Sequence, residues 1–161
     1  MTRLLALDLG TNTGWAVSDQ GRVDSGVQVF DLKRGESPGM RYLRFGRWLS
    51  EMAYFRGGRL PELLVYEAAH YRGGHATEVA VGLVTRAQAY CAEHGIEHAS
   101  VHTSTLKKVT TGHARASKED MVRCVGVRFA EHLHGRQPSD DEADALALLD
   151  YALAELIPRP T

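Results

Sequence analysis

The alternation of apolar and polar positions predicts three strands at the start of the chain. Residues 4–9 form a compact apolar run that ends in the turn-forming segment 10–14, as a buried strand would. Residues 15–18 and 26–30 predict two further strands, joined through a turn at residues 19–21. Three strands linked by short turns predict an antiparallel meander.

The next segment predicts a helix that packs through one face. It should begin near Ser37-Pro38, because serine suits the N-cap and proline suits the first helical position. Apolar side chains then recur at helical spacing, with arginines between them. The side chains predicted to point inward are Met40, Leu43, Trp48, Leu49 and Met52, and those predicted on other faces are Arg41, Arg44 and Arg47.

The middle of the chain predicts two strands separated by a helix. Residues 63–66 are wholly apolar, which predicts a buried strand that delivers Glu67 at its C-terminal end. Residues 77–94 predict a helix that is ended by Gly95. Residues 96–102 predict a fifth strand.

The last third of the chain predicts a loop and two helices. Residues 106–118 carry several cations and no acid, and we expect a flexible basic loop there. Ser117 and Ser139 each precede an acidic residue by three positions, the spacing of a capping box at the start of a helix. The final helix, to about residue 156, is apolar on almost every side and should be largely buried.

Element order and composition together predict one α/β domain with a mixed sheet over residues 1–161. Hydrophobic residues make up 43% of the chain and charged residues 24%, which argues against a disordered protein. Asp8 interrupts the only apolar stretch near the N-terminus, and no run reaches the roughly 20 residues of a membrane helix. We therefore expect a cytoplasmic protein. Cys91 and Cys124 lack metal-ligand spacing, and we expect reduced, buried thiols.

Four carboxylates stand out because their neighbours are apolar. Asp8 closes an apolar run, Glu67 follows another, and Asp141 and Asp144 are one helical turn apart and share a face. Burying an unpaired, ionised carboxylate in such surroundings costs roughly several kcal/mol of folding free energy, unless the group stays protonated. A divalent cation removes that cost for several carboxylates at once. Hard oxygen ligands without cysteine favour Mg²⁺ or Mn²⁺ over zinc.

Each carboxylate taken singly also fits a simpler role. Asp8 suits a cap for the loop at residues 10–14, and Glu67 suits an ion pair with Arg72. Asp141, with its acidic neighbours, suits a helix N-terminus. Asp144 lies beyond the first turn, where that reason does not apply. The four acids together favour a metal site.

The chain resembles the RuvC-type DNA junction resolvases, which have the ribonuclease H-like fold, over nearly its whole length. The spacings from Lys107 to Lys118 and from Asp141 to Asp144 match that family without gaps. The residues that carry the resemblance are Leu7-Asp8-Leu9-Gly10 with Gly14, Val65-Tyr66-Glu67, Leu106-Lys107 with Gly112 and Ser117-Lys118, and Asp141-Glu142-Ala143-Asp144-Ala145-Leu146-Ala147.

The resemblance implies a five-stranded mixed sheet, a homodimer, and cleavage of four-way (Holliday) DNA junctions by two symmetric nicks. It implies that Asp8, Glu67, Asp141 and Asp144 hold two Mg²⁺ or Mn²⁺ ions. Such a pair of ions, about 4 Å apart, serves in-line hydrolysis that leaves a 5′-phosphate and a 3′-hydroxyl. The resemblance also assigns Lys107 and Lys118 to DNA phosphates, with Lys118 counted among the catalytic residues.

Three departures from the family pattern point towards its phage-encoded branch. The first loop is one residue shorter, and Leu9 stands where the bacterial proteins have proline. The family's aromatic wedge aligns with His70, and Tyr71 follows it. In the phage branch, substrates extend to other branched or flapped DNA.

The net charge of −1 does not by itself indicate a nucleic-acid-binding protein, so the placement of the cations matters. From charge alone the basic loop reads as a solvated surface, but its proximity to the acids favours DNA phosphates. A second DNA-facing loop is expected around Tyr71, where a stacking aromatic adjoins a cation. The predicted DNA-binding residues are Lys107, Lys108, Arg115, His70, Tyr71 and Arg72.

Two other functions compete with a nuclease. The segment Asp8-Leu9-Gly10-Thr11 also resembles the first phosphate loop of actin-like ATPases and sugar kinases, but 161 residues cannot hold their two domains. A non-catalytic module that binds branched DNA or a partner protein is the other alternative. The presence of all four acids and both lysines argues against it.

Overall fold

A computed structural model describes residues 2–54, 58–70 and 72–158, and its centre is a five-stranded mixed sheet in the order β3-β2-β1-β4-β5. The first three strands pair antiparallel, and β1, β4 and β5 pair parallel. The predicted meander and the mixed sheet are both confirmed. The strands are β1 Leu4–Asp8, β2 Asn12–Asp19, β3 Arg22–Val29, β4 Leu63–Glu67 and β5 Glu97–Val101.

Six α-helices in the described part of the chain cover the two faces of the sheet. Residues of α1 and α2 pack on one face, and residues of α3, α4 and α6 pack on the other. A π-helical turn, Ala152–Leu156, follows α6. The helices are α1 Gly39–Ala53, α2 His75–His94, α3 Thr103–Thr111, α4 Lys118–Arg128, α5 Ala130–Leu133 and α6 Asp140–Tyr151.

Strand β1 shows how the two-residue period of a strand assigns side chains to the two faces. Leu5 and Leu7 belong to the core under α1 and α2, whereas Leu4 and Ala6 belong to the core under α6. Asp8 continues the second series and therefore points towards α6. A one-residue shift of this strand would place Asp8 on the wrong face.

Helix α6 packs unusually close to the sheet. Its residues from Ala145 to Leu149 are all buried, as its all-round apolar sequence predicts. At its N-terminal end it contacts β2 at Gly14, where an added Cβ would lie only 1.9 Å from the carbonyl oxygen of Asp141. Gly14 pairs with Asp8 in the β1–β2 ladder. A glycine at this position is thus a condition for bringing α6 to the end of β1.

The prediction of a flexible basic loop over residues 106–118 is wrong for its first half. Helix α3 covers Thr103–Thr111 and ends at Gly112, whose positive φ of 88° gives the left-handed C-cap. Four threonines lower the helix propensity of this segment, but Leu106 is buried against α4 and α6 and anchors the helix. Tertiary packing therefore overrides local propensity, and only residues 112–117 connect α3 to α4.

Two side chains of α1 are placed differently from the prediction. Leu43, expected to point inward, is 58% exposed. Arg41, expected on another face, is buried, and its Nε donates a 2.9 Å hydrogen bond to the carbonyl oxygen of Phe30. Arg41 satisfies the backbone where β3 ends, a role that a helical periodicity cannot show. The short helix α5 was also not predicted.

The predicted caps of α2, α4 and α6 are confirmed. Gly95 ends α2 in the left-handed conformation. Ser117 and Asp120 form the predicted reciprocal capping box of α4. Ser139 caps α6 by accepting a 3.3 Å hydrogen bond from the backbone of Glu142. Both cysteines carry free thiols; Cys91 is buried as predicted, whereas Cys124, also predicted to be buried, is half-buried. No helix in the described ranges is both long and apolar enough to span a membrane.

The contact at Gly14 generates a stability prediction. Gly14→Ala places a methyl group against the backbone of α6, and we expect a loss of about 1–3 kcal/mol, as overpacking typically costs. Gly126→Ala is the matched control, because a Cβ there meets nothing within 4 Å inside α4 and alanine is the better helix former. Urea unfolding curves of both variants measure the difference. Equal stability of the two variants would contradict the close approach of α6.

Candidate metal centre

Strand register brings Asp8 and Glu67 together. Strands β1 and β4 are parallel and Leu7 pairs with Tyr66, so Asp8 and Glu67 end adjacent strands side by side. Ala6 and Val65, two residues earlier on each strand, both pack under α6. Both carboxylates therefore lie at the carboxyl edge of the sheet and point towards α6. Ligands bind at this edge in open α/β sheets.

Helix α6 supplies two further carboxylates from above the sheet. Carboxylate oxygens of Asp8, Glu67 and Asp144 lie within 4.8 Å of one another, and all three residues are half-buried. Asp141, one turn before Asp144, shares a side-chain hydrogen bond with Asp8. The structure thus brings all four predicted acids into one cluster. Asp140, the neighbour of Asp141, is paired instead with Lys118, whose Nζ lies 3.7 Å from its Oδ2.

Burial and repulsion between neighbouring acids raise the pKa values of Asp8 and Asp144, and burial raises that of Asp141. Burial, together with repulsion from Asp144, Glu67 and Asp141, raises the pKa of Asp8 to about 9. Burial and repulsion from Glu67 and Asp141 raise the pKa of Asp144 to about 7. Burial also raises the pKa of Asp141. Without a counter-charge, the folded protein therefore holds protons in this cluster that the unfolded chain would release.

The donor set fits a hard divalent cation. Three converging carboxylates offer only oxygen ligands, which suit Mg²⁺, Mn²⁺ or Ca²⁺ rather than a thiolate-binding metal. Cys91 is buried in the core on the opposite face of the sheet. Positive charge at this position would offset the repulsion that raises the pKa values of Asp8 and Asp144.

Asp141 does lie in the first turn of α6, as its simpler role requires, but the simpler roles considered for Glu67 and Asp8 are not the ones observed. Glu67, which also fitted a pair with Arg72, accepts a hydrogen bond on Oε1 from the hydroxyl of Thr103. The loop after β1 is closed by Thr13, whose hydroxyl donates to the carbonyl oxygen of Gly10 at 2.7 Å. Capping of that loop is thus done by a threonine, and Asp8 remains directed into the cluster.

Two lysines border the cluster. Lys107 lines a cleft of about 500 Å³ together with Asp8 and Glu67. Lys118, at the start of α4, lines a smaller cavity of about 170 Å³ with Glu67 and Asp144, and its Nζ lies 3.7 Å from Oδ2 of Asp140. Lys118 is 79% exposed, so this ion pair is weak. An anion that approaches the acids would meet both cations.

Of the other predicted DNA-binding residues, some border the cavities next to the acids and others do not. His70 and Arg72 are exposed on the rim of the larger cleft. Tyr71 lies outside the described residues. Lys108 is exposed on α3 and Arg115 in the turn before α4, and neither lines the two cavities next to the acids.

A polar network behind α6 was not predicted. Glu142 is buried and accepts hydrogen bonds from both terminal nitrogens of Arg136, at 2.7 and 2.8 Å, and from Ser25 at 2.8 Å. His132 contacts the same Ser25 hydroxyl at 2.6 Å. The arginine holds the pKa of Glu142 below its usual value. The network fastens the start of α6 to β3. In the sequence, Glu142 is one of five acidic residues of α6, so the local pattern does not distinguish it from the four aspartates.

Comparison with known proteins identifies the fold. No family model and no curated protein matches the chain. Among solved structures, Thermus thermophilus RuvC in complex with Holliday junction substrate is similar, with 21% identity, a TM-score of 0.72, and coverage of 92% of this chain and 90% of that one. A second T. thermophilus RuvC structure has 22% identity, a TM-score of 0.69, and coverage of 94% and 96%. The predicted RuvC-type, ribonuclease H-like fold is confirmed.

The repulsion in the cluster predicts that removing a charge stabilises the metal-free protein. The pKa of Asp144 is raised from 3.8 to about 7 on folding, so its penalty is absent below pH 4 and complete above pH 7. In EDTA at pH 8, Asp144→Asn should gain on the order of 1–3 kcal/mol, or several degrees in Tm. The gain should shrink as the pH falls towards 4.

Asp150→Asn is the control, because Asp150 lies on the same helix but pairs with Arg128 at 2.8 Å. It should not melt higher than wild type. Added Mg²⁺ should raise the Tm of wild type more than that of Asp144→Asn, since a ligand stabilises the state that binds it. A lower Tm for Asp144→Asn in EDTA, with an equal response to Mg²⁺, would make Asp144 a structural residue.

Proposed function

We propose that this chain, as a single nuclease domain over residues 1–161, is a metal-dependent, structure-specific DNA endonuclease that resolves four-way junctions and acts on other branched DNA. The observation that supports the proposal is the carboxylate cluster at the carboxyl edge of the sheet. Asp8 and Glu67 line the larger cleft with Lys107, and Glu67 and Asp144 line the smaller cavity with Lys107 and Lys118. Few substrates need both a polyanionic metal site and adjacent cations, and a phosphodiester is one of them.

The acids and the lysines of the site have different roles in the proposed reaction. Asp8, Glu67, Asp141 and Asp144 would hold two Mg²⁺ or Mn²⁺ ions, which supply activation of the attacking water and stabilisation of the leaving 3′ oxygen. Lys107 and Lys118 neutralise the phosphates that flank the scissile bond. In-line attack breaks the bond between phosphorus and the 3′ oxygen and leaves a 5′-phosphate and a 3′-hydroxyl. A covalent protein intermediate is not required.

The proposed substrate class rests on the shared fold and on the cleft. The similar T. thermophilus RuvC was solved with a Holliday junction substrate. In this chain, exposed His70 and Arg72 border the cleft beside the acids, where they would meet the DNA branch. A four-way junction is two-fold symmetric, so paired nicks require two active sites related by the same symmetry. We therefore propose a homodimer, and substrates as broad as those of the phage-encoded branch.

Cleavage of a labelled four-way junction in MgCl₂ tests the proposal directly. Asp8→Asn and Glu67→Gln should lower the rate by at least about 1,000-fold. Each variant replaces a negatively charged carboxylate ligand by a neutral amide, which weakens the binding of the metal that stabilises the charge of the transition state. Binding of the junction should remain. Glu62→Gln is the matched control, because Glu62 lies just before β4 and is 55% exposed. It should cleave at the wild-type rate.

The same assay separates the alternatives. Wild-type protein that binds the junction but does not cut it in Mg²⁺ or Mn²⁺ would be a non-catalytic branched-DNA module. Normal cleavage by Asp8→Asn or Glu67→Gln would contradict the metal mechanism. Cleavage of linear duplex as fast as of the junction would contradict structure specificity.

The two lysines predict a change in salt dependence. If each neutralises one phosphate, Lys107→Ala and Lys118→Ala should each lower the slope of log K against log salt by about one unit and should slow cleavage. Arg22→Ala is the control, because Arg22 is exposed at the start of β3, at the edge of the sheet opposite the acids. Binding measured at several NaCl concentrations gives the slopes. Unchanged slopes for both lysine variants would make these lysines solvated surface residues.

A further inference from the structure

Thr103 lies beside the acids because of the sheet register. Glu67 ends β4 opposite Val101 of β5, and α3 begins two residues later at Thr103. Val101 packs on the α6 face, and the two-residue alternation of the strand directs position 103 to the same face. The residue that precedes α3, His102, makes no side-chain cap. The Thr103 hydroxyl does not cap the helix either and instead donates to Oε1 of Glu67.

A second contact gives this hydrogen bond a direction. Nε2 of His70 also contacts the Thr103 hydroxyl. A hydroxyl has one proton, which Thr103 gives to Glu67, so it accepts from His70. The three groups form a chain in which His70 donates to Thr103 and Thr103 donates to Glu67. Hydrogen bonds aligned in one direction strengthen one another.

The backbone holds both ends of this chain in place. The amide of Ala68 donates to the carbonyl oxygen of Val101 at 2.8 Å, immediately after Glu67. The Thr77 hydroxyl donates to the carbonyl oxygen of His70 at 3.3 Å and thereby ties the loop to α2. His70 is exposed at the rim of the 500 Å³ cleft, whereas Thr103 and Glu67 are half-buried. The chain therefore runs from the cleft surface into the acidic cluster.

We propose that Thr103 is a positioning residue for Glu67 and that the His70–Thr103–Glu67 chain couples the DNA-facing rim of the cleft to the metal centre. The inference rests on the proposed function of the acidic cluster. A glutamate side chain has three rotatable bonds, so a fixed donor on one oxygen restricts how the other meets a cation. Outer partners of metal ligands commonly contribute 10–100-fold to metal affinity. An occupant of the cleft that draws His70 away would remove the first link.

The test uses MgCl₂ alone, without DNA. The Tm of the full chain is measured against Mg²⁺ concentration for wild type, Thr103→Val, Thr103→Ser and Thr105→Val. Valine keeps the shape of threonine and removes the hydroxyl, and we expect Thr103→Val to need at least about 10-fold more Mg²⁺ for the same stabilisation. Thr103→Ser keeps the donor and should stay within about twofold of wild type. Thr105 is exposed on the same helix, and Thr105→Val should bind Mg²⁺ normally.

The Mg²⁺ dependence distinguishes positioning from plain stability. A purely structural Thr103 would change the Tm of Thr103→Val in EDTA and leave its Mg²⁺ dependence equal to that of wild type, which would overturn the inference. If wild type shows no Mg²⁺ response, both the inference and the proposed metal centre fail. If wild type responds and Thr103→Val responds equally, only the inference fails.

A double-mutant cycle tests the link to His70. His70→Ala should weaken Mg²⁺ binding in wild type, by less than Thr103→Val does, because it removes only the outer hydrogen bond. In the Thr103→Val background it should have no further effect, since the chain is already broken. Equal effects of His70→Ala in both backgrounds would show that His70 does not act through Thr103.

Discussion

Mutual repulsion between half-buried carboxylates is the constraint on which the rest of this structure depends. Asp8, Glu67 and Asp144 would separate in a flexible chain, yet their oxygens lie within 4.8 Å. The cost is visible in the pKa of Asp8, which burial and then repulsion from Asp144, Glu67 and Asp141 raise to about 9. Holding these carboxylates together destabilises the metal-free fold, and a bound cation would make the same arrangement favourable.

Three features hold the acids together against that repulsion. Parallel pairing of β1 with β4 fixes Asp8 and Glu67 as neighbours. Gly14 lets the start of α6 reach the end of β1. At the start of α6, Glu142 accepts hydrogen bonds from Arg136 and from Ser25 of β3, and the second bond ties the helix to the sheet. The cluster is thus supported from the strands below and from the helix above.

Periodicity was sufficient for those parts of the site that regular elements carry. Asp8 and Glu67 end apolar strands, and Asp144 lies on a buried helical stripe, so local pattern alone located them. Helix α3 was missed because its threonines disfavour a helix and because the burial of Leu106 depends on distant elements. Arg41 and Thr103 were missed for a related reason. Their partners, the Phe30 carbonyl group and the Glu67 carboxylate, lie outside the helix that carries each residue, 11 and 36 positions away in sequence.

The most direct test of the metal centre is to locate the ion. A crystal of the protein soaked in MnCl₂, with data collected for the anomalous signal of manganese, shows where the cation binds. We expect an anomalous peak between the carboxylates of Asp8, Glu67 and Asp144, and its loss in Asp144→Asn. Manganese peaks only elsewhere on the molecule, with these three carboxylates still converged and no ion between them, would contradict it.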